Sequence, residues 1–231
     1  MAGETVRTKA VCLEIRPWSR TSHVVTWLTE AGRVATAVKG AVRPKSAFLG
    51  QYDLNYTCDV VYYARARGEL HAMRECFPLE RRDTLRDDFR ALALADYFRR
   101  TVRDLAPSGP DCADWMRLLE DSLDALAGRP AGAAAPGRWL RRLLSFEMAA
   151  LALAGLAPDL GGDETGGFQL RGERRMPVTG EVAACLGDPE AEKNPKILLD
   201  AARVIGVFYA FHLDCASDVR RTVLRMISNN E

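Results

Sequence analysis

The chain lacks close cysteine pairs, long apolar runs and familiar catalytic motifs, and each lack removes a class of function. Its six cysteines, Cys12, Cys58, Cys76, Cys112, Cys185 and Cys215, include no two within four residues of each other. There is therefore no CxxC knuckle, and in a reducing compartment these residues read as small buried hydrophobes. The longest apolar stretch, Met148 to Ala157, follows Arg142 and Glu147 and is about half the length of a membrane span, so it reads as a buried helix. Residues Met1-Ala2-Gly3-Glu4-Thr5 have no basic segment followed by an apolar one, and the expected location is the cytoplasm, with no membrane partner. P-loop, GxGxxG, HExxH and GxSxG patterns are missing. His23, His71 and His212 are scattered, and Asp87-Asp88 and Asp188, Glu190 and Glu192 read as solvated or helix N-terminal charges. The glycine-rich run from Gly161 to Gly167 lacks the acidic spacing of a calcium loop. The expectation is a protein that is not an enzyme and holds no cofactor and no metal.

What is present begins with charge. The net charge of +1 hides an asymmetry: up to Arg82 there are 13 Lys and Arg against 8 Asp and Glu, or +5, and the remainder carries 19 against 23, or −4. A basic N-terminal third is a modest argument for a polyanionic partner on that part.

The pattern divides the chain in the same place. Tyr52 to Tyr63 alternates, with Tyr52, Leu54, Tyr56, Cys58, Val60 and Tyr62 on one face, which predicts a long half-buried strand. Val24 to Thr29 and Arg33 to Val38 are two shorter β-rich runs joined by Glu30-Ala31-Gly32. Thr8 to Ile15 is a first strand, ended by Arg16-Pro17-Trp18-Ser19, and Leu70 to Phe77 a fifth, reached by a turn at Arg65-Ala66-Arg67-Gly68. Five strands without a long helix predict a small closed barrel, of which the oligonucleotide-binding (OB) fold is the commonest plan. From Arg81 onward helical spacing takes over. Helices are predicted around Leu85 to Val102, after Asp111, over Trp139 to Leu156, over Pro195 to Leu213 and over Ala216 to Ile227. The predicted class is α+β: a five-stranded OB-fold barrel over 1–80, then an all-helical domain over 81–231 with an irregular insertion around 159–195.

One segment stands out. Lys39-Gly40-Ala41-Val42-Arg43-Pro44-Lys45-Ser46 puts three cations, a glycine and a proline directly after a strand. Lys and Arg there can reach phosphates, Gly40 permits close backbone approach and Ser46 can donate to a phosphate oxygen. By residue type alone, a solvated basic turn is the simpler reading. More cations fall at predicted turns, among them Arg16, Arg20, Arg33, Arg65, Arg67, Arg74, Arg81 and Arg82. Aromatics could stack on bases beside them. Most fit the barrel core better, and Trp18 and Tyr63, which fall off the apolar registers, are the exposed candidates.

The order of these pieces resembles a known family. Trp18-Ser19-Arg20-Thr21-Ser22, Val24 to Thr29, Gly32-Arg33-Val34 and then Lys39-Gly40-Ala41 with Arg43-Pro44-Lys45-Ser46 resemble the N-terminal half of the bacterial recombination mediator RecO. Trp139 to Leu144, the run Gly155 to Leu160, and Phe208 to Leu213 followed by Val219-Arg220-Arg221 are similar to its helical half. The resemblance implies binding to single- and double-stranded DNA, strand annealing, and work with RecR and single-stranded DNA-binding protein to load RecA, at the nucleoid and without catalysis. It matches Lys39, Arg43 and Lys45 to the family's basic loop, and Arg20 and Arg33 less closely. Arg65, Arg67 and Arg74 are added as DNA contacts on charge alone. Arg138, Arg141 and Arg142 are the expected partner contacts, for the acidic C-terminal tail of single-stranded DNA-binding protein. Many members carry a four-cysteine zinc site after the Ala-Pro-Asp-Leu run; here Asp159 to Asp188 offers only Cys185, so no structural zinc is expected. Two other readings stay open: an OB-fold RNA-binding protein, and an interaction scaffold that binds no nucleic acid.

Overall fold

The structure is a computed structural model, and it describes residues 4–65, 68–128, 137–160, 167–169, 175–212 and 217–228. By contacts the chain divides into two units. The first holds Met1–Asp83 and Ala106–Leu123; the second holds Thr84–Leu105 and Asp124–Glu231.

Five strands close the barrel of the first unit: β1 (Thr5–Ser19), β2 (Ser22–Thr29), β3 (Gly32–Val38), β4 (Thr57–Tyr63) and β5 (Leu70–Glu80), in the order β1-β2-β3-β5-β4. All pairs are antiparallel except β3 with β5, and this is the OB fold. β1 makes closure possible because it serves two neighbours. Thr5 to Val11 pair with β4, and Val11 to Ser19 pair with β2. A register shift between Cys12 and Glu14 skips Leu13, which is fully buried. Such a bulge bends a strand and increases its twist, which a small barrel needs.

The barrel core packs Ala10, Cys12, Val25, Trp27, Val38, Cys58, Val60, Met73 and Cys76, as the alternation requires. Trp27 satisfies its buried indole N–H by donating to Thr36 Oγ1 at 2.8 Å. Gly32 takes φ 125°, and a Cβ there would sit 2.6 Å from the Gly109 carbonyl oxygen, so glycine is required by close backbone approach as well as by the turn. The helix α2 (Ala113–Ala127) joins this unit through its first part. Its Glu120 accepts from Lys9 Nζ at 2.8 Å and from Thr57 Oγ1 at 2.9 Å.

Several strand boundaries differ from expectation. β4 starts at Thr57, not Tyr52. Asn55 adopts φ 68°, while Tyr56 N–H donates to the Asp53 carbonyl, so Asp53 to Tyr56 is a turn, and Tyr52 before it and Tyr56 at its end are both buried. β1 does not stop at Arg16 but runs to Ser19, with Pro17 paired to His23. Proline is tolerated there because only β2 lies beside that stretch. β5 extends to Glu80.

In the second unit, α3 (Arg138–Leu153) touches α1 (Phe89–Leu105), α5 (Pro195–His212) and α6 (Ser217–Ser228), as its apolar face predicts. Phe146 stacks on Phe98 with ring centroids 3.9 Å apart. At the centre of this packing Glu147 is fully buried and bound by Arg220, whose Nε and Nη2 donate at 2.7 and 2.9 Å, and by the Tyr97 hydroxyl at 2.7 Å. Burial alone disfavours a charged guanidinium; the Glu147 carboxylate more than offsets this and holds Arg220 above its usual value. The region expected to be irregular contains a short hairpin, β6 (Gly167–Gln169) with β7 (Arg175–Pro177), and α4 (Gly180–Gly187), capped by Thr179. No helix among the described residues is long and apolar enough to cross a membrane.

Candidate nucleic-acid interface

The basic segment leaves β3 at Lys39 and runs as successive turns to β4. It is built rather than slack. Arg43 N–H donates to Gly40 O at 3.1 Å, Ser46 N–H to Arg43 O at 2.9 Å, Leu49 N–H to Ser46 O at 3.3 Å, and Gln51 N–H to Phe48 O at 3.1 Å. Gly40, at φ 66°, supplies the left-handed residue that starts the series. Inward, Ala41, Phe48, Tyr52 and Tyr56 join the barrel core and close its mouth. The Tyr52 hydroxyl lies 2.8 Å from His23 Nδ1, and burial pushes its phenol up from its usual value. Lys39, Val42, Arg43, Pro44 and Lys45 are left exposed.

The same loop is fastened to the β1–β2 turn. Val42 N–H donates to Thr21 O at 3.3 Å, and Gly40 N–H to Ser22 Oγ at 3.1 Å. These bonds bring Arg20, in the turn, beside Lys39, Arg43 and Lys45. Among the described residues, none of these four cations has a carboxylate partner. Two further arginines brace the return of the loop. Arg82, buried, donates to Asn55 O and Thr57 Oγ1, each at 3.0 Å, and Arg81 donates to Gly50 O at 3.2 Å and lies over the Tyr56 ring. Residue types mark both as DNA-facing turn cations; their bonds make them anchors. Nothing in the local sequence separates the two roles.

The other expected DNA contacts are placed elsewhere. Arg33 follows the β2–β3 turn, at the opposite end of β2 from Arg20, and is hydrogen-bonded to Ser108. Eight residues of β2 at about 3.3 Å each separate the two ends. Arg33 there borders a cavity of about 460 Å³ with Thr26, Glu69 and His71. Arg65 is exposed in the β4–β5 connection, its backbone N–H donating to His71 Nδ1 at 3.1 Å. Arg74 pairs with Glu75 at 3.1 Å and lies over Tyr63. Arg16 pairs with Glu14 at 3.0 Å. Arg67 lies outside the described residues.

In the second unit, Arg138 donates to Gly128 O and covers the Trp139 ring, with its centroid 4.5 Å away. Arg141 donates to Glu192 O and Arg142 to Glu190, both at 2.9 Å. All three arginines are thus engaged within their own unit. Among the described residues no group of three or more His, Cys, Asp or Glu is placed to hold a metal. Cys185, the lone cysteine where relatives of the resemblance place zinc ligands, is buried in α4, and burial with Glu192 nearby pushes its thiol up to about 11. That residue set does not fit a four-ligand thiolate site.

The family model for the N-terminal part of recombination protein O matches residues 1–82, and the model for its C-terminal part matches residues 86–205. The chain belongs to the recombination protein O family. Its role therefore lies in DNA repair and recombination. A comparison with curated proteins gives no match.

Proposed function

We propose that this chain is a non-catalytic DNA-binding recombination mediator, and that its DNA contact is the mouth of the barrel formed by the basic loop and the β1–β2 turn. The observation that carries this reading is the gathering of Arg20, Lys39, Arg43 and Lys45 on one rigid rim without carboxylate partners among the described residues. Such cations displace the counterions of a phosphate backbone, and that release drives binding. These cations meet the backbone, so charge alone lets the mouth take both single- and double-stranded DNA. By lowering repulsion between two strands it also favours their annealing. Loading of RecA onto strands coated by single-stranded DNA-binding protein, with RecR and the acidic tail as partners, completes the proposed role, and it takes place in the cytoplasm at the nucleoid. Arg138, Arg141 and Arg142 would meet the tail only by exchanging their present bonds.

The test is a salt titration of binding to a labelled single strand and to a matched duplex. Affinity should fall with salt, with a log–log slope of about 0.7 per neutralised phosphate on single strands and about 0.9 on duplex. Absence of any binding at low salt would favour the scaffold reading. Tighter binding to an RNA of the same sequence would favour the RNA-binding one.

A further inference from the structure

We infer that Trp18 is a base-stacking residue, which gives the barrel mouth a preference for unpaired bases over duplex. The inference rests on the DNA-binding reading of that mouth and adds a contact that charge does not provide.

Trp18 is the residue skipped by the second register shift of β1. Pro17 pairs with His23 and Ser19 with Ser22, so Trp18 has no partner across the strand. The two bulges of β1 do opposite things. The first bends the strand and buries Leu13 completely; the second leaves an indole 53% exposed. A bulge next to a site commonly re-aims a side chain, and exposing an indole gives up a large hydrophobic contribution to folding. The position is also specific. Ser19 pairs with Ser22, whose hydroxyl holds Gly40, and Thr21 holds Val42. The indole thus stands two residues from Arg20, on the rim that carries Lys39, Arg43 and Lys45. A flat aromatic surface beside a row of cations with no carboxylate partner among the described residues is the pairing that takes single strands: phosphates on the cations, an unstacked base on the ring. In a duplex the bases are already stacked and cannot reach it.

The other three tryptophans are 1%, 4% and 5% exposed, at Trp27, Trp115 and Trp139, so quenching of indole fluorescence reports on Trp18. Wild type, Trp18→Ala and Trp18→Phe are titrated with a thymidine oligonucleotide, the same backbone made abasic, a matched duplex and the RNA equivalent. The single strand should quench wild-type emission and the duplex should not. Trp18→Ala should weaken single-strand binding about tenfold, within the cost of losing one base–aromatic stack, and leave duplex and abasic binding unchanged. Trp18→Phe should keep most of the affinity but lose the quench. Equal single-strand affinity in Trp18→Ala, or an equal loss on duplex and abasic strands, overturns the stacking role while leaving the basic rim standing. No binding of any strand at low salt overturns the DNA reading itself, and stronger stacking on RNA than on DNA overturns the choice of DNA.

Discussion

The two ends of β2 hold similar charges in different states. At one end Arg20 stands beside Lys39, Arg43 and Lys45, all projecting from hydrogen-bonded turns and none with a carboxylate partner among the described residues. At the other, Arg33 is bonded to Ser108 and borders a cavity with Glu69 and His71. Further round the barrel wall, Arg74 is paired with Glu75 and Arg7 with Asp59. A guanidinium already held by a carboxylate has less to gain from a phosphate, because its counterion is built in. The formal +5 of the N-terminal part is thus a poor guide to which cations are available to a phosphate backbone; the partners of each cation are a better one. Arg220 in the second unit is the extreme case. It is 4% exposed and fully engaged by Glu147 and a backbone carbonyl, so its charge serves folding alone.

The largest effect expected from this contrast is at Arg220. Arg220→Leu leaves the Glu147 carboxylate buried without its partner, and denaturant unfolding should show a loss of about 3–5 kcal/mol. A loss below about 1 kcal/mol would mean that the pair is dispensable. Next is Gly32→Ala, at the Arg33 end. Its positive φ and the Gly109 carbonyl predict a destabilisation of more than about 1 kcal/mol, with the salt slope of DNA binding unchanged. A changed slope would bring the Arg33 end into the DNA contact. The smallest effect is at Asp59. Hydrogen bonds from the Arg7 guanidinium hold its carboxyl below the ordinary carboxylate range. A lowered carboxyl pKa adds stability above its unfolded value and loses it as pH falls through the folded one. Arg7→Ala should therefore move the Asp59 midpoint upward in an NMR titration and leave stability at neutral pH nearly unchanged, the Arg7 side chain being exposed. An unmoved midpoint would remove Arg7 as the cause.

Much of the fold was legible because its signals are local. The alternation of Val24 to Thr29 and Arg33 to Val38 and the helical stripes fix element type, and a barrel follows from five such strands. What sequence could not resolve depends on contacts far along the chain. Tyr52 and Tyr56 keep the strand-like alternation, yet Asn55 turns the chain between them, and burial rather than pairing explains the pattern. The helix Gly180–Gly187 is not legible because eight residues, little more than two turns, give too little periodicity. At the candidate site, Lys39, Arg43 and Lys45 were legible as a cluster, since they are neighbours in sequence. That Arg20 joins them, that Arg33 does not, and that Arg82 is buried as a brace all follow from strand register and from hydrogen bonds such as Val42 to Thr21. The bulge at Trp18 carries no mark in the sequence beyond a tryptophan after a proline.

The most direct measurement compares salt slopes for single-strand binding in two triple variants: Lys39→Ala, Arg43→Ala and Lys45→Ala together, and Arg33→Ala, Arg65→Ala and Arg74→Ala together. The loop variant should lose about two from the log–log slope, at about 0.7 per phosphate contact, with stability within about 0.5 kcal/mol of wild type, as expected for exposed positions. The second variant should keep the wild-type slope. An unchanged slope in the loop variant, with the loss appearing in the other, would contradict the assignment of the barrel mouth.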